Sequence, residues 1–535
     1  STVFVTTANR MPKPGLSGPE AVKTVREAAA MPADQLLAPH RDGWHAFYRK
    51  SFVSIPDARL QSFYWIQLYK IGSATREGGR ALGNSGPWFR LNQWPQIWWN
   101  LNVQITYWMF DPSNHTDLGR TLVDEIDRNF DHLFSIYGGK KEMGDFIWVL
   151  HNYWLHYRYL GDWDTLRAKW LPKAEKSLAS FQSNFLKETA DGNLELAPMG
   201  SPEFLHGSYF KEVKDTNYNL ALIRWLLGTM IDVSTKTGGS PQVQDWQKLL
   251  GRLPAAPLDA HGLMIGRGQS FDRSHRHFSH IIGFYPLFVL NPDDPADRAL
   301  VDKSLRHFLD IKNKDGTQDR CGYTLTCAAS QVAMMGRGDE TLQYLNDFLD
   351  NKILKMATFF ASRVLPNTMY VETKGRNPTI ESPLGAANAT LEMLLQSWGA
   401  KVRIFPAMPT AWKDAVFHQL RAQGAFLVSA ERKNGKTEWV AVESLAGEPL
   451  VLKVPDWSGP LVVSSEQDLK VTETAPGEYQ VNLKKGGSAA FSKQPLEGKP
   501  VIKPLPDQSG GKVFYGLRKG ENLKENQTWP EYHLK

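Results

Sequence analysis

Cysteine is nearly absent from this chain of 535 residues, which contains only Cys321 and Cys327. Two thiols six positions apart on one helix are poorly placed to face each other across a helical turn. A disulfide framework or a zinc site would need more sulfur than this. We therefore interpret both cysteines as buried thiols, and we expect no metal and no cofactor.

Long hydrophobic runs are also missing. No stretch approaches the roughly 20 uninterrupted apolar residues that a membrane helix needs, so we expect no membrane span. The first residues, Ser1 to Arg10, lack the basic-then-apolar layout of a secretory signal, although a processed protein would look the same. The net charge is +6, but the basic residues are scattered, so nucleic acid is not an expected partner.

What the chain does contain is typical of a globular protein. Hydrophobic residues make up 42% and charged residues 22%, and the length predicts two or three structural units. Aromatic residues reach 11%, including 18 tryptophans. Such side chains suit flat platforms for sugar rings, but they also fill the cores of large helical proteins, so composition alone leaves both interpretations open.

Apolar spacings of three and four predict a long helical region. Nine segments show this pattern, near 117–137, 146–157, 165–186, 217–235, 242–250, 296–311, 324–335, 339–349 and 385–398. Almost no strand pattern interrupts them, which favours a helical bundle or toroid over a parallel α/β barrel. The helical, catalytic domain is predicted to span 41–400.

The ends of the chain differ from this middle. Residues 1–40 carry five prolines and are interpreted as a linker or the remnant of an N-terminal β-domain. From Lys401 the apolar period changes to two, and Asn434-Gly435 is a strong hairpin signal. We expect an antiparallel β-sandwich over 401–495 and a surface tail over 496–535.

Two glutamates stand beside Ser-Pro pairs. Glu203 follows Ser201-Pro202, and Glu381 precedes Ser382-Pro383. Ser-Pro is also an ordinary helix start, and for Glu203 that structural interpretation is the stronger one from local sequence alone. Glycoside hydrolysis, however, needs one proton donor and one group that activates water or attacks the sugar. Two carboxyls beside two helix starts fit that requirement.

A third segment contains two amides. Asn100 and Asn102 follow Trp98 and Trp99, two tryptophans that are expected to bind the substrate. In an extended segment, asparagines two apart point to the same side. Both could then hold one water, which would still need a carboxylate to accept its proton. Capping or turn roles are the alternative.

A fourth segment, His275 to His280, carries three imidazoles and one guanidinium. A metal site is conceivable there, but no H-E-x-x-H helix and no cysteine lie nearby. Hydrogen bonding of Arg276, His277 and His280 to sugar hydroxyls is the favoured interpretation.

Taken together, these segments resemble glycoside hydrolase family 95, the inverting α-L-fucosidases and α-L-galactosidases. The resemblance extends from about His40 to Val454, and its pieces occur in family order. They are Asn100 to Gln104 with Tyr107-Trp108, Ser201 to Glu203, His275 to His280, Glu381 to Gly385, the helix 386–399, and Phe405 to Pro409 with Trp412.

The resemblance implies a mainly α protein with an (α/α)6 barrel and a role for each matching residue. Glu203 resembles the general acid, Asn100 and Asn102 the amides that hold the water, and Glu381 the carboxylate that makes this water basic. Arg276 and His277 resemble ligands of sugar hydroxyls. An inverting reaction places the two carboxyls roughly 6.5 to 9.5 Å apart. We also expect Glu203 to lie in an apolar pocket that favours its protonated form.

Three departures bear on specificity and on domain content. The family's Asp-Gly-Asn-Phe-Gly is here Glu381 to Gly385, with a carboxylate one methylene longer. Trp98 stands where the family usually has a sugar-contacting histidine, which changes the hydroxyl pattern that can be satisfied. The family's large N-terminal β-sandwich has no counterpart in residues 1–40, so a separate β-domain chain is an expected partner.

The expected function is an exo-glycosidase that removes a terminal α-L-linked sugar, L-fucose or L-galactose, from an oligosaccharide or polysaccharide of plant or host origin. The family resemblance favours a periplasmic or secreted location. Two alternatives remain open: a polysaccharide lyase on a helical toroid, and a glycan-binding protein without catalysis. An unsaturated product would indicate the lyase, and binding without turnover the binding protein.

Overall fold

The computed structural model describes residues 2–10, 13–88, 96–204, 212–352, 362–372, 377–498 and 500–515. The chain forms two compact units, residues 1–52 and 53–535. The predicted tail 496–535 lies partly outside the described residues.

The first unit contains two helices, α1 (Ser17–Ala30) and α2 (Ala33–Tyr48). Residues 1–40 are therefore largely helical, unlike the irregular linker or β-remnant that their prolines predict. The reason is that Pro14 begins a 3-10 turn and Pro32 caps α2, positions where a missing backbone N–H costs little. Neither helix buries a residue, and within α2 the Trp44 ring stacks on Tyr48 with ring centroids 5.7 Å apart.

The second unit begins with a helical region. Its helices are α3 (Ala58–Ala74), α4 (Asn102–Tyr107), α5 (Thr116–Tyr137), α6 (Met143–Leu160), α7 (Trp163–Thr165), α8 (Leu171–Phe185), α9 (Asn217–Lys236), α10 (Val243–Arg252), α11 (Pro295–Asp310), α12 (Gly322–Met334), α13 (Gly338–Leu349) and α14 (Glu381–Leu394). A π-helical turn, Leu166–Trp170, joins α7 to α8. All nine predicted helical segments are confirmed, whereas α3 and α4 are additions.

Burial divides these helices into two classes. Helices α6, α9, α12 and α14 are buried around most of their circumference, whereas α5, α8, α10, α11 and α13 bury one face and expose the other. A helix that is apolar all round belongs inside, and one with an apolar stripe belongs outside. The contacts α5 to α6, α8 to α9 and α13 to α12 pair outer helices with inner ones.

Eight short strands lie outside the C-terminal region. They are β1 (Phe52–Ser54), β2 (Leu186–Glu188), β3 (Leu194–Leu196), β4 (Leu258–Asp259), β5 (Gly262–Leu263), β6 (Arg363–Val364), β7 (Tyr370–Glu372) and β8 (Asn377–Thr379). The last three form a small antiparallel sheet in which Glu372 opposes Asn377. This sheet leads directly into α14.

Ten strands form the C-terminal region: β9 (Leu395–Gln396), β10 (Val402–Ile404), β11 (Ala415–Ala422), β12 (Phe426–Lys433), β13 (Lys436–Ser444), β14 (Leu450–Lys453), β15 (Val462–Ser465), β16 (Val471–Ala475), β17 (Glu478–Val481) and β18 (Ser488–Ser492). One sheet has the order β1-β11-β12-β13-β18-β15 and the other β16-β17-β14-β10-β9. Phe405, just after β10, contacts Phe417 of β11 at 5.3 Å between ring centroids.

The predicted change from helix to strand near residue 400 is confirmed, as is the hairpin at Asn434-Gly435, where both residues have positive φ. One detail differs from the antiparallel expectation, because β10 pairs with β14 in parallel, with Val402 opposite Leu452.

Both cysteines are free and buried, which confirms their interpretation as buried thiols. Burial raises the pKa of both thiols well above the ordinary value. Within the described ranges, no helix has the length and apolar character needed to cross a bilayer.

The approach of α6 to α9 can be tested at Gly144. A Cβ atom at this position would lie 2.7 Å from the Tyr218 ring, so Gly144→Ala must displace α9. We expect the free energy of unfolding to fall by roughly 1 to 3 kcal/mol, as in other overpacked cores. Gly228→Ala, in α9 itself with open space around it, is the matched control and should stabilise the protein by about 0.5 to 1 kcal/mol. Equal effects of the two substitutions in urea denaturation would contradict the close packing.

Candidate active site

Glu381 is the first residue of α14, and its side chain is fully buried. Loss of hydration on burial raises its pKa and outweighs the nearby polar side chains of Thr379, Asn102 and Ser382, which lower it. The atom Oε2 has no hydrogen-bond partner among the described residues. One oxygen of a proton-accepting carboxyl thus stays unused by the protein's own donors.

The segment Asn100 to Asn102 forms a turn that leads into α4, so the predicted extended conformation is wrong. Leu101 has φ = 51°, so the backbone between the two asparagines is bent and not extended. Asn100 Nδ2 donates to Asp145 Oδ2 at 3.3 Å, whereas Asn102 lies close enough to Glu381 to lower its pKa. Each amide therefore has its own carboxyl. Asn100 Oδ1 is buried, and no described residue donates to it.

Asp145, near the start of α6, was not predicted from the sequence. Its Oδ1 accepts from the Tyr218 hydroxyl at 2.6 Å. Burial raises the pKa of Asp145 to about 7, although the Tyr218 and Asn100 donors lower it. A cavity of about 500 Å³ opens here. It is lined by Asn100, Lys141, Glu142, Asp145, Gly200, Pro202, Glu212 and Tyr218.

Glu203 lies in a turn, with φ = 57°, so the helix-start interpretation does not describe residues 201–204. The expected apolar pocket is also wrong. Arg276 Nη2 donates to Glu203 Oε2 at 2.5 Å, and a third of the Glu203 side chain is exposed. Arg276 Nη1 donates to Asp319 Oδ2 at 3.1 Å, so one guanidinium holds two carboxylates. Asp319 and Glu203 are both distant from Arg276 in the sequence, so these two ion pairs join separate segments of the chain.

Glu372, at the end of β7, is a second carboxyl that sequence reasoning missed. It is fully buried, and its Oε1 accepts from the Tyr370 hydroxyl at 3.1 Å. Burial raises its pKa, and repulsion from Glu381 raises it further, while Arg276 acts in the opposite direction.

Electrostatic interactions join these groups into one cluster. Glu203 raises the pKa of both Asp145 and Glu372, and Glu372 in turn interacts with Glu381. The two predicted glutamates and the two predicted asparagines therefore belong to one arrangement. The separation of roughly 6.5 to 9.5 Å between the acid and base carboxyls stays a prediction.

The predicted sugar ligands lie in different surroundings. Trp98 and Trp99 are half-buried, and their carbonyls accept from the Val103 N–H and the Gln104 amide at 3.1 and 2.7 Å. Burial lowers the pKa of His277 well below the ordinary value, and its ring contacts Tyr323.

His280 is not placed with the carboxylates. Its ring stacks on Phe271 with centroids 4.2 Å apart and contacts Phe308 at 5.7 Å. Burial lowers the pKa of His280 to about 3, so the ring is neutral. Among the described residues, no three His, Cys, Asp or Glu side chains are grouped so that they could hold a metal ion.

Two domain models match the chain. The glycosyl hydrolase family 95 catalytic domain matches residues 139–394, and the C-terminal domain of the same family matches residues 396–490. The chain belongs to glycoside hydrolase family 95. The resemblance inferred from the sequence is thus confirmed, and the catalytic-domain match contains Glu203, Arg276 and Glu381.

Alpha-L-fucosidase 2 of Arabidopsis thaliana is 22% identical over 433 residues, which cover 72% of this chain and 50% of the relative. The family 95 chain thus spans about half the length of that relative. A solved structure assigned to a kojibiose phosphorylase of the human microbiome superposes with a TM-score of 0.58 at 10% identity, covering 82% of this chain and 63% of the other. The (α/α)6 fold followed by a β-rich domain is confirmed.

The burial of Asp145 predicts a pH effect on stability. Its pKa in the folded protein is about 7, above the ordinary value of 3.8, so the native state holds the proton more tightly. This contribution to stability is present below pH 4 and is lost as the pH rises towards 7. Asp145→Asn keeps the shape and removes the titration. From pH 5 to 7, the wild type should lose on the order of 2 kcal/mol more than the variant in denaturant unfolding. Parallel pH profiles would contradict this account.

Proposed function

We propose that this family 95 chain is an inverting glycoside hydrolase that releases a terminal α-L-linked sugar, of the L-fucose or L-galactose type, from plant or host glycans. The observation that carries this proposal is a pair of buried acceptors, Asn100 Oδ1 and Glu381 Oε2, neither of which has a donor in the described part of the chain. A water molecule has two O–H groups, and the pair can accept both.

The proposed water then has a defined role. Glu381 removes one of its protons as the oxygen attacks the anomeric carbon, and Asn100 orients it through the other O–H. Asn102 lies close to the Glu381 carboxyl. An amide orients water but is no base, so the carboxyl must accept the proton. The raised pKa of Glu381 makes this carboxyl a stronger base than an exposed glutamate.

Glu203 is assigned as the general acid that protonates the leaving oxygen. It lies on a partly exposed turn. The group that protonates the leaving oxygen must be accessible to the leaving part of the glycan, and this position meets that requirement. Arg276 already binds Asp319 as well as Glu203, so a sugar hydroxyl can replace Glu203 on the guanidinium without leaving Arg276 unpaired. Glu203 is then available to carry the proton. One water is consumed, and one sugar is released with inverted configuration.

The sugar itself is proposed from the family and from the relative's name, alpha-L-fucosidase 2. Trp98 places a half-buried indole near the amide turn, and an indole face suits the apolar face of a sugar ring. Export to the periplasm or beyond the cell is proposed on the family alone.

Removal of the acid should abolish turnover. We expect Glu203→Gln to lower kcat by roughly 10² to 10⁴, because general acid catalysis contributes this much. Release of the monosaccharide from α-L-fucosyl and α-L-galactosyl oligosaccharides, with the initial anomer, would be followed by NMR. Glu438→Gln, on the exposed side of β13, is the matched control and should keep full activity. Full activity of Glu203→Gln, or initial release of the retained anomer, would refute the assignment.

The interaction of Glu372 with Glu381 predicts the pH profile. The base must be ionised, so kcat/KM should rise with pH through the pKa of Glu381, which burial raises above 4.5. Burial raises the pKa of Glu372 to about 8, above the value of about 7 for Glu381, so Glu372 is still protonated while Glu381 ionises. Glu372→Gln therefore removes no charge in this range, and the rising limb should stay in place. A limb that moves to lower pH in this variant would show that Glu372 loses its proton first.

A further inference from the structure

A second cavity, of about 820 Å³, lies at the other end of the inner helices. It is lined by residues of α6, the turn 285–288, the end of α14 and β11, among them Trp108, His151, Trp154, Phe288, Glu392 and Trp398. This lining shares no residue with the described lining of the cavity beside Asp145.

Two helices fix the separation of the two cavities. In α6, Trp154 follows Asp145 by nine residues, which is about 14 Å along a helix that rises 1.5 Å per residue. In α14, Glu392 follows Glu381 by eleven residues, or about 17 Å. Both helices begin in the carboxyl cluster and continue to the second cavity. A monosaccharide in one cavity therefore cannot reach the other.

Several polar atoms in this lining are buried without a partner. Trp108 Nε1, Trp154 Nε1 and His151 Nδ1 have no hydrogen-bond partner among the residues that the structure describes. His151 lies beside the Pro286 backbone, and its Nδ1 can donate or accept according to the tautomer. Leaving such groups unpaired costs about 1 to 3 kcal/mol each. Two indole N–H donors and one imidazole nitrogen are thus available to a ligand or to water.

The remaining walls are aromatic. The rings of Phe288 and Trp398 are parallel, with centroids 4.9 Å apart, and Tyr285 contacts Trp108 at 5.1 Å. Phe288 covers one face of Trp398, and the Arg403 guanidinium lies over the ring at 3.3 Å from its centroid, so Trp398 presents only its edge to the cavity.

The described lining of this cavity contains few ionisable side chains. The Tyr285 hydroxyl donates to Glu392 Oε1 at 2.7 Å and accepts from Asn388 at 3.2 Å. Burial raises the pKa of Glu392 to about 7 and lowers that of His151 to about 3. Arg421 donates to the Asn114 amide oxygen and the Tyr159 carbonyl, both of which are neutral. The described lining thus contains one cation, Arg421, and one buried carboxyl, Glu392, with no excess of either sign, which favours a neutral ligand.

We propose that this cavity is a second binding site, for a neutral polyhydroxylated ring such as a monosaccharide, distinct from the carboxyl cluster. Ring hydroxyls pair with the Trp108 and Trp154 indoles and with His151 Nδ1, while Phe288 and the edge of Trp398 line one side of the ligand. The site requires no hydrolysis, so it can be tested whether or not the chain is an active glycosidase.

The test uses the full chain with ¹⁵N-labelled tryptophan and follows the indole N–H signals by NMR. Trp108→Phe and Trp154→Phe assign the two reporters, and Trp439→Phe assigns a control indole that donates to Glu431 at 2.8 Å. L-fucose, D-galactose and myo-inositol are added separately. We expect at least one to shift the Trp108 and Trp154 signals saturably with a single Kd, while the Trp439 signal stays constant.

Substitution of one donor should weaken this binding. In Trp154→Phe, the Kd read from Trp108 should rise about tenfold, which is the loss of one hydrogen bond worth about 1.4 kcal/mol. Glu203→Gln should leave the shifts in place, which separates this site from catalysis. The proposal is overturned if none of the three compounds moves the Trp108 and Trp154 signals up to its solubility limit, or if only Trp98 and Trp99 respond. Near-UV circular dichroism verifies that each variant is folded.

Discussion

The removal of carboxyl groups from water is the constraint on which the site depends. Asp145, Glu372 and Glu381 are buried, and their hydrogen-bond donors are amides and hydroxyls rather than cations. Neutral donors offset only part of the hydration that is lost, so the proton affinity of each carboxyl rises towards neutrality. Groups poised in this range exchange protons readily with water and with a leaving oxygen. Glu203, held by Arg276 at the partly exposed edge, is the exception.

The fold makes this burial possible by placing carboxyls at the beginnings of inner helices. Glu381 begins α14 and Asp145 lies in the first turn of α6. The N-terminal end of a helix carries partial positive charge, which favours an anion there by typically 0.3 to 1 kcal/mol. Outer helices shield the inner ones from solvent, and Gly144 lets α9 bring the Tyr218 hydroxyl within reach of Asp145.

Much of the architecture could be predicted from the sequence because the spacing of apolar residues within each segment determines whether it forms a helix or a strand. Long segments with apolar spacings of three and four became helices, and the change of period near residue 400 marked the strands. Helix α4 was missed because six residues carry too short a pattern. The prolines of residues 1–40 were misread because Pro14 and Pro32 stand at helix starts and α2 accommodates Pro39 in its interior. The parallel pairing of β10 with β14 depends on a crossover that no local pattern encodes.

The site was predictable only where motifs marked it. Glu203, Glu381, Asn100 and Asn102 were found by their order along the chain, and one electrostatic cluster contains them. Asp145 and Glu372 were missed because an acidic residue in a helix or strand looks like any surface charge until burial is known. The ion pair of Glu203 with Arg276 joins positions 73 residues apart, so the expected apolar pocket could not be tested by reading either segment alone.

The left-handed backbone of Leu101 has a consequence for how the asparagine pair could arise or be transplanted. A non-glycine residue rarely adopts this conformation by itself, because its side chain crowds the following carbonyl at a cost of about 1 to 2 kcal/mol. The surrounding barrel must therefore impose the bend. An isolated peptide with the sequence Asn100 to Gln104, or another scaffold that carries it, would relax to an ordinary turn. The bend between the two asparagines would then be lost. The geometry of the asparagine pair thus depends on the whole fold and cannot be transferred to another protein by sequence alone.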